Sequence, residues 1–421
     1  MHSSTPLPLV RTYLSIARRK SRFIAVNSLN GISLILAIIG FSTQTLALEI
    51  ISIAGLATGC VAIAATFASW RREVDDLRVQ YLPPLAARDI SNLTVPPRLG
   101  ASGYDILHRG DEPADALLTS ARVNQALFRG GTAPVRTAES TFHFRPSPAV
   151  AHVLLREFTR KAPVLFNARK VRLTSDPVLD EHSALGPVSV QPTHYFDTLV
   201  TNDSLPVRLA SHRSRTEVFN GHDLCLPGRT VPACQESACS NHIGASTIAL
   251  TADDYLVIVE QGYRSNIASG LLMPSGSGSA DWKDLDGTQD LREFVSRVAT
   301  RELQEECGLA PADIAWLRVL GYGRLIARGG LPQFFCLARL SCSFRDIQVT
   351  RSERALTECH LPVDVGGDGS RYAAIQSAVT DLRRDGHRLF SSLWWALELL
   401  ARLPETDVED AFATAAPPAL R

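Results

Sequence analysis

The stretch from Gly287 to Leu309, GTQDLREFVSRVATRELQEECGL, constrains this chain more than any other part of its sequence. Asp290 followed by Glu293 forms an acidic variant of a capping box, so we expect a helix to begin there. Gly308 stands where a helix C-cap needs a positive φ, so the same helix is predicted to end there.

Three carboxylates share one face of this predicted helix, because Glu302, Glu305 and Glu306 stand at positions i, i+3 and i+4. Carboxylates this close repel one another unless a cation lies among them. A hard divalent ion with oxygen ligands fits, and Mg²⁺ in such sites usually holds phosphate oxygens. Arg301, four residues before Glu305, is placed to orient it. The alternative is a solvated acidic helix end, which the long fixed spacing argues against.

The stretch resembles the Nudix box, G-x5-E-x7-R-E-U-x-E-E-x-G-U with U aliphatic, and it matches every defined position of that pattern. The aliphatic positions are Leu303 and Leu309, and the others are Gly287, Glu293, Arg301, Glu302, Glu305, Glu306 and Gly308. The resemblance implies an α/β/α sandwich that holds Mg²⁺ or Mn²⁺ and hydrolyses nucleoside diphosphates linked to another moiety. It also implies metal-assisted attack of water on a pyrophosphate.

The same resemblance assigns roles within the box. Glu302, Glu305 and Glu306 would be the metal ligands, and catalysis would use Glu302, Glu305 and Arg301. Glu293 would be an orienting residue together with Arg301. A further acidic ligand, which many Nudix enzymes take from downstream, could be Glu353 or Glu358, and the spacing selects neither.

One departure from the family lies just before the box. Nudix enzymes usually carry a Pro-Gly-Gly turn there, whereas this chain reads Met273-Pro274-Ser275-Gly276-Ser277-Gly278-Ser279. A Gly/Ser-rich loop can present backbone N–H groups to phosphates. We therefore predict that Ser275, Gly276, Ser277 and Gly278 contact a bound nucleotide.

Two apolar stretches near the N-terminus predict a membrane anchor. Phe23–Phe41 and Leu46–Trp70 are each long enough to cross a bilayer core of about 30 Å, at about 20 residues per span. Basic residues precede the first stretch and Arg71-Arg72 follow the second, so both termini are predicted to be cytoplasmic. A signal peptide with a cleavage site at Thr45-Leu46-Ala47 and a buried helical hairpin of a soluble protein are the alternatives.

Length, composition and charge indicate how the whole chain is divided. With 421 residues, of which 45% are hydrophobic and 20% charged, two or more units with sizeable cores are expected. The formal net charge is zero, so no direct nucleic-acid partner is indicated. The predicted regions are a basic cytoplasmic arm (1–22), a two-transmembrane hairpin (23–72), a connecting region (73–200), a Nudix domain (201–405) and a disordered tail (406–421).

The predicted Nudix domain reads as mixed α/β. A strand pair is expected at Ser246–Glu260, further strands at Trp316–Leu325 and Gln333–Leu340, and an apolar helix at Phe390–Leu403.

The chain contains eight cysteines without a regular disulfide spacing, which fits a reducing compartment. A loose group of zinc-ligand residue types lies near the middle of the chain. Zinc sites usually contain a tight cysteine pair, and only Cys234 and Cys239 approach that spacing, so free cysteines are the prediction. The members of the group are His222, Cys225, Cys234, Cys239 and His242.

The order of two transmembrane helices, a connecting region and a Nudix domain, with the stretch PSGSGS before the box, resembles a known effector family. These are the two-transmembrane Nudix effectors associated with CD-NTases in bacterial cyclic-oligonucleotide antiphage signalling (CBASS). The resemblance implies that a partner CD-NTase makes a cyclic nucleotide, which the cytosolic part of this chain would bind. The protein would then assemble as a homo-oligomer in the inner membrane and disrupt it. A membrane-tethered pyrophosphohydrolase and a non-catalytic scaffold are the alternative functions.

Overall fold

The computed structural model describes residues 46–109, 115–160, 167–261, 270–348, 357–366, 370–384 and 388–413. The chain divides into two compact units. Unit 1 contains the residues up to 82 together with 144–160 and 206–220, and unit 2 contains 83–143, 161–205 and 221–421.

Strands and helices are interspersed along the described chain. The strands are β1 (Leu77–Tyr81), β2 (Tyr104–His108), β3 (Ala116–Ser120), β4 (Val135–Thr137), β5 (Arg169–Leu173), β6 (Val188–His194), β7 (Val207–Ser211), β8 (Glu217–Asn220), β9 (Gly244–Leu250), β10 (Tyr255–Gln261), β11 (Leu272–Met273), β12 (Gly276–Ser279), β13 (Ile314–Leu325), β14 (Leu331–Leu340) and β15 (Thr357–Asp364). The helices are α1 (Leu46–Asp76), α2 (Ala87–Ser91), α3 (Pro97–Ala101), α4 (Ala121–Phe128), α5 (Pro148–Thr159), α6 (Tyr195–Leu199), α7 (Gly221–Cys225), α8 (Leu291–Cys307), α9 (Arg371–Arg384), α10 (Ser391–Ala401) and α11 (Glu405–Ala413).

Unit 1 combines the long helix α1 with α5 and a three-stranded antiparallel sheet in the order β1-β7-β8. Pro148 occupies the first turn of α5, and the Ser147 hydroxyl accepts a hydrogen bond from the Val150 backbone N–H at 3.2 Å. This is the local pattern that starts a helix. Trp70 of α1 packs edge-on against His152 of α5, with ring centroids 5.1 Å apart.

Only one of the two predicted membrane spans lies within the described residues. Leu46–Trp70 lies within α1. Phe23–Phe41 and the basic arm lie outside the described residues. Among the residues that the structure describes, no helix has both the length and the apolar character needed to cross a membrane.

A nine-stranded mixed sheet forms the centre of unit 2, in the order β2-β3-β13-β14-β9-β10-β11. β12 pairs with β9 and β15 pairs with β10. β9 and β14 run parallel, and the other pairings of this sheet are antiparallel. All residues of β9 are buried, as expected for a central strand covered on both faces. A smaller sheet of the same unit has the order β4-β6-β5, in which β6 runs parallel to β4 and antiparallel to β5.

A helix covers each face of the nine-stranded sheet. On one face, Phe334 of β14 shares a core with Phe294 of α8. On the other face, Phe335 and Leu337 of β14 share a core with Trp395 of α10. Successive side chains of β14 therefore point into different cores on opposite faces of the sheet, as the two-residue period of a β-strand requires. The predicted mixed α/β class is confirmed.

Most predicted elements of this unit are found close to their expected bounds. The predicted strands at Trp316–Leu325 and Gln333–Leu340 lie within β13 and β14, and the expected helix at Phe390–Leu403 contains α10. The predicted strand pair is β9 and β10, joined through Asp254, which adopts a positive φ of 61°.

Two predicted boundaries need correction. The connecting region was expected to end at residue 200, but β2 and β3 lie within it and pair into the central sheet. The tail was expected to be disordered from residue 406, but α11 spans Glu405–Ala413 and buries Val408 and Ala411. In both cases the buried residues pack against or pair with elements that are distant in the sequence.

Candidate functional site

The box helix α8 begins and ends where the sequence indicates. Asp290 is its N-cap, and its carboxylate accepts hydrogen bonds from the backbone N–H groups of Arg292 at 2.9 Å and Glu293 at 3.1 Å. Gly308 closes the helix with a left-handed φ of 67°, and its N–H donates to the Gln304 carbonyl. The predicted N-cap and C-cap are confirmed.

The Glu293 carboxylate has a different partner from the one that a reciprocal capping box would give it. It accepts a hydrogen bond from Arg297 Nη2 at 3.1 Å, one helical turn along. Gly287, the first residue of the box, has a φ of 76°, a conformation that favours glycine. Glu293 and Gly287 therefore shape the N-terminal end of α8, while the acidic turn lies near its C-terminal end.

Two glycines of β12 let the acidic turn of α8 approach the sheet. A Cβ added at Gly276 would lie 2.9 Å from the Leu303 backbone nitrogen, and one at Gly278 would lie 2.2 Å from the Glu302 carboxyl group. Gly276 and Gly278 are two residues apart in a strand, so they present the same face to the helix. The space left by the missing side chains seats Glu302 against the strand.

Arg301 lies at the centre of the acidic turn. Its guanidinium binds both carboxylate oxygens of Asp284, at 3.2 and 3.0 Å. It also contacts Glu302 at 2.8 Å and Glu305 at 3.2 Å. Burial lowers the pKa of Arg301, but the hydrogen bond to Asp284 and the charges of Glu302 and Glu305 outweigh burial and raise it. Arg301 is thus a permanent cation that orients two box carboxylates.

Glu302 is the most buried of the three box glutamates, with 7% of its surface exposed. Burial raises the pKa of Glu302 from 4.5 to about 7. The positive charge of Arg301 opposes this increase, and the negative charge of Glu305 adds to it. A carboxylate with a pKa near neutrality can take up a proton at physiological pH, which is the property of a general base.

The other two glutamates differ in their surroundings. The Glu306 carboxylate accepts a hydrogen bond from the Ser277 backbone N–H at 3.1 Å, which ties it to β12. The Glu305 side chain is 52% exposed and contacts Arg301. The predicted set Glu302, Glu305 and Glu306 is therefore brought to one turn, with one buried, one anchored and one open to solvent.

The stretch before the box is a strand, not the loop that we expected. The Ser275 hydroxyl is fully buried, where it donates to the Val257 carbonyl at 2.6 Å and accepts from the Ala249 N–H at 2.7 Å. Gly276 pairs with Thr247 of β9. The Ser275 hydroxyl and the Gly276 backbone are thus used within the sheet, whereas a phosphate-binding loop would leave such groups open to a ligand. Contact of Ser277 and Gly278 with a nucleotide stays a prediction.

Three residues beside the box were not identified from the sequence. Asp284 is 5% exposed at its side chain and fixes Arg301. Lys170 of β5 donates to Asp281 Oδ1 at 2.6 Å and to the Ser279 carbonyl at 3.4 Å, and the same carbonyl accepts from Arg301 at 3.1 Å. Lys170 comes from more than a hundred residues away, so only the Asp281-x-x-Asp284 spacing carried a local signal.

The donor chemistry of the acidic turn fits a hard divalent cation. Carboxylate oxygens are the ligands that Mg²⁺ and Mn²⁺ prefer. Burial and the charge of Glu305 both disfavour the ionised form of Glu302, so a cation bound at this turn would stabilise that form. In the present arrangement Arg301 contacts both Glu302 and Glu305, so binding of a cation requires these side chains to adjust.

The loose group of zinc-ligand residue types does not bring three ligand atoms together in the described part of the chain. The Sγ atoms of Cys225 and Cys239 lie 3.7 Å apart, while Cys234 Sγ contacts Asp176 at 3.4 Å. His242 Nδ1 lies 2.7 Å from the Thr198 hydroxyl. Burial raises the pKa of Cys234 to about 12, which disfavours the thiolate that a metal needs. All eight cysteines are free thiols in the structure.

Glu353 and the Glu358 side chain lie outside the described residues. The choice between these two downstream candidates therefore stays open.

No protein-family model matches the sequence, and no curated protein matches it. Solved structures similar to part of the chain include Nudix hydrolases. DR0079 from Deinococcus radiodurans has a TM-score of 0.27 and 13% identity over 38% of this chain and 82% of its own. A bifunctional NMN adenylyltransferase/ADP ribose pyrophosphatase from Francisella tularensis has a TM-score of 0.26 and 14% identity, covering 38% of this chain and 40% of its own.

A MutT Nudix hydrolase from Burkholderia pseudomallei has a TM-score of 0.20 and 16% identity, covering 29% of this chain and 81% of its own. Likenesses at this level support no conclusion about activity. The geometry of the box helix therefore has to carry any functional assignment.

Proposed function

We propose that unit 2 is a Nudix-type pyrophosphohydrolase domain, which cleaves a nucleoside diphosphate linked to another moiety. The observation that carries this proposal is the seating of Glu302. It is a buried carboxylate with a pKa near 7, placed over Gly278 and adjacent to Arg301 and two further glutamates. A scaffold has no need of a buried acid held among like charges, and perturbed carboxylates of this kind are typical of catalytic sites.

The surroundings of each box residue suit it to a different role. Glu302 is suited to accept the proton of an attacking water, because it is a buried carboxylate that Arg301 and a bound cation would keep ionised. Glu305 and Glu306 are suited to bind a divalent ion, one open to solvent and the other anchored by the Ser277 N–H. Arg301, locked by Asp284, holds the Glu302 and Glu305 carboxylates in place.

A bound Mg²⁺ or Mn²⁺ would polarise a pyrophosphate oxygen and neutralise charge that develops there. The proposed cofactor role rests on the donor set, since all three glutamates offer hard oxygen ligands.

Turnover by purified full-length protein tests the proposal. The protein, in detergent, would be incubated with Mg²⁺ or Mn²⁺ and with ADP-ribose, NAD and nucleotide sugars, and products would be separated by liquid chromatography. Reaction in ¹⁸O-labelled water would show which phosphorus receives the water oxygen. We expect release of a nucleoside monophosphate, with loss of turnover by about 10²-fold or more in Glu302→Gln, the range that general base catalysis contributes.

A matched control is Glu236→Gln, which changes an exposed glutamate outside the box and should keep full activity. Failure of the wild-type protein to cleave any member of the panel with either ion would contradict the proposal. Equal turnover by Glu302→Gln and wild-type protein would remove Glu302 from its role.

We propose a second candidate function, in which this chain is a membrane effector of the CBASS type. A cyclic nucleotide made by a CD-NTase would act on the chain to activate it. The observation that favours it is the apolar surface of α1, where Val61, Ile63 and Phe67 are exposed. Exposed apolar patches usually mark a surface that meets lipid or another chain. On this proposal the protein oligomerises in the inner membrane, with both termini in the cytoplasm.

Dye leakage from liposomes separates the two functions. Full-length protein would be reconstituted and exposed to cyclic di- and trinucleotides with Mg²⁺. Leakage with one nucleotide, which is then recovered intact, would support the effector. Phe67→Ser should reduce leakage without changing hydrolysis, because Phe67 belongs to unit 1 and the box to unit 2. Absence of leakage with every nucleotide would exclude the effector proposal.

A further inference from the structure

A second group of metal-ligand side chains lies outside the box. In the described part of the chain, His143, His194 and Asp197 each offer one ligand atom, and these atoms all lie within 4.8 Å of one another. His194 ends β6, and Asp197 lies in the first turn of α6. His143 follows a segment that runs beside β6, with hydrogen bonds from the Ala138 and Phe142 N–H groups to strand carbonyls.

The separations within this group match shared coordination better than direct hydrogen bonding. His143 Nδ1 lies 3.6 Å and His194 Nδ1 lies 3.8 Å from the same oxygen, Asp197 Oδ2. An N–H···O hydrogen bond would bring these atoms to about 2.7–3.2 Å. Two ligand atoms bound to one tetrahedral zinc at about 2.0–2.1 Å lie about 3.4 Å apart. The observed distances exceed that value by only about 0.2–0.4 Å.

The His143 and His194 imidazoles are stacked, with centroids 5.5 Å apart and planes inclined by 21°. In each ring Nδ1 is the nitrogen that approaches Asp197 Oδ2, and the rings would tilt on binding so that one ion lies in both ring planes. The three side chains are 15%, 25% and 16% exposed, which leaves an entry path from solvent. Two imidazoles and one carboxylate form a donor set that zinc accepts, with a fourth position for water.

We propose that His143, His194 and Asp197 bind a divalent transition-metal ion, best matched by zinc, at a site separate from the acidic turn of α8. The imidazole ligands distinguish it from the box, whose oxygen-only donors suit Mg²⁺. The site fastens the segment that ends at His143 to the end of β6. Since β6 pairs with β5, the ion steadies the strand pair that supplies Lys170 beside the box.

Zinc binding by full-length protein tests this proposal directly. The protein would be stripped with a chelator and titrated with ZnCl₂ in excess Mg²⁺, which keeps oxygen-only sites occupied. Bound zinc would be measured by mass spectrometry, and Co²⁺ would report coordination through its visible absorption. We expect about one equivalent of zinc per chain. Affinity should fall in His194→Gln and Asp197→Asn by more than the roughly 10–100-fold that loss of an outer-shell partner costs.

His182→Gln is the matched control, because His182 also lies beside a carboxylate, that of Glu181, but its side chain is 82% exposed. It should bind zinc like wild-type protein. His143→Gln is a third ligand variant, at a position outside any helix or strand. It keeps the test valid if circular dichroism shows that the other two variants are unfolded. Undiminished zinc binding in folded ligand variants, or no zinc or Co²⁺ binding by wild-type protein, would overturn the proposal.

Discussion

Replacement of Glu302 by glutamine should change how the stability of unit 2 depends on pH. The pKa of Glu302 is about 7 in the folded protein and 4.5 is its ordinary value, which we assign to the unfolded chain. Below pH 4.5 both states hold the proton, so the carboxyl group costs the fold nothing. Between these values the unfolded chain loses the proton while the folded protein retains it, and the free energy of unfolding falls as the pH rises.

The size of the effect depends on the difference between the two pKa values. At about 1.4 kcal/mol per pKa unit, ionisation of Glu302 removes at most about 3 kcal/mol of stability by about pH 8. Glu302→Gln carries no charge at any pH, so it lacks this loss. The wild-type protein should therefore lose up to about 3 kcal/mol relative to the variant between about pH 4.5 and 8.

Urea-dependent hydrogen exchange of peptides from α8, in metal-free buffer, measures the unfolding free energy of this region alone. Glu236→Gln serves as the control and should keep the wild-type slope, because Glu236 is exposed. Parallel pH profiles for wild-type protein and Glu302→Gln would refute the reasoning, since they would mean that burial does not raise the pKa of Glu302.

Three further predictions concern the same turn. Gly278→Ala should fold but lose activity and metal binding, because its Cβ displaces the Glu302 carboxyl group. Gly276→Ala should instead lower the melting temperature, because its Cβ meets the backbone of α8. Turnover and thermal melts distinguish the two variants. Asp284→Asn should cost about 1.5–3 kcal/mol in urea unfolding, the range for a hydrogen bond to a charged group such as Arg301, and retained stability would contradict this. Mg²⁺ at about 100 times its dissociation constant should stabilise the protein by about 2.7 kcal/mol in melts at about pH 8, and a smaller gain is expected in Glu302→Gln.

The box helix could be predicted from the sequence because every signal that sets it is local. The cap at Asp290, the left-handed Gly308 and the shared face of the three glutamates all depend on spacing within one helix. The strands β9, β10, β13 and β14 could be predicted for the same reason, since runs of β-branched and aromatic residues indicate a strand without reference to its partner. The Gly/Ser run of β12 carries no such signal, and we expected a loop there.

The parts that could not be predicted depend on pairing between distant residues. β3 joins the central sheet through β13, which comes much later in the chain, and nothing in its own sequence names that partner. Lys170 reaches the Ser279 carbonyl in the same way. The group of His143, His194 and Asp197 shows the limit most clearly, because only the His194-x-x-Asp197 spacing is local and it is too common to indicate a metal.

The altered stretch before the box bears on the choice between hydrolase and effector. From the sequence, this stretch lacks a Pro-Gly-Gly turn and is predicted to be a loop that contacts a nucleotide. In the structure, Gly276 and Gly278 supply the space in which the acidic turn lies against the sheet, and Ser277 anchors Glu306 through its N–H. The close approach of the acidic turn to β12 is thus present without a Pro-Gly-Gly turn. A chain that kept the box only as a fold element would have no reason to exclude a Cβ at Gly278, where the neighbour that the Cβ would meet is the Glu302 carboxyl group.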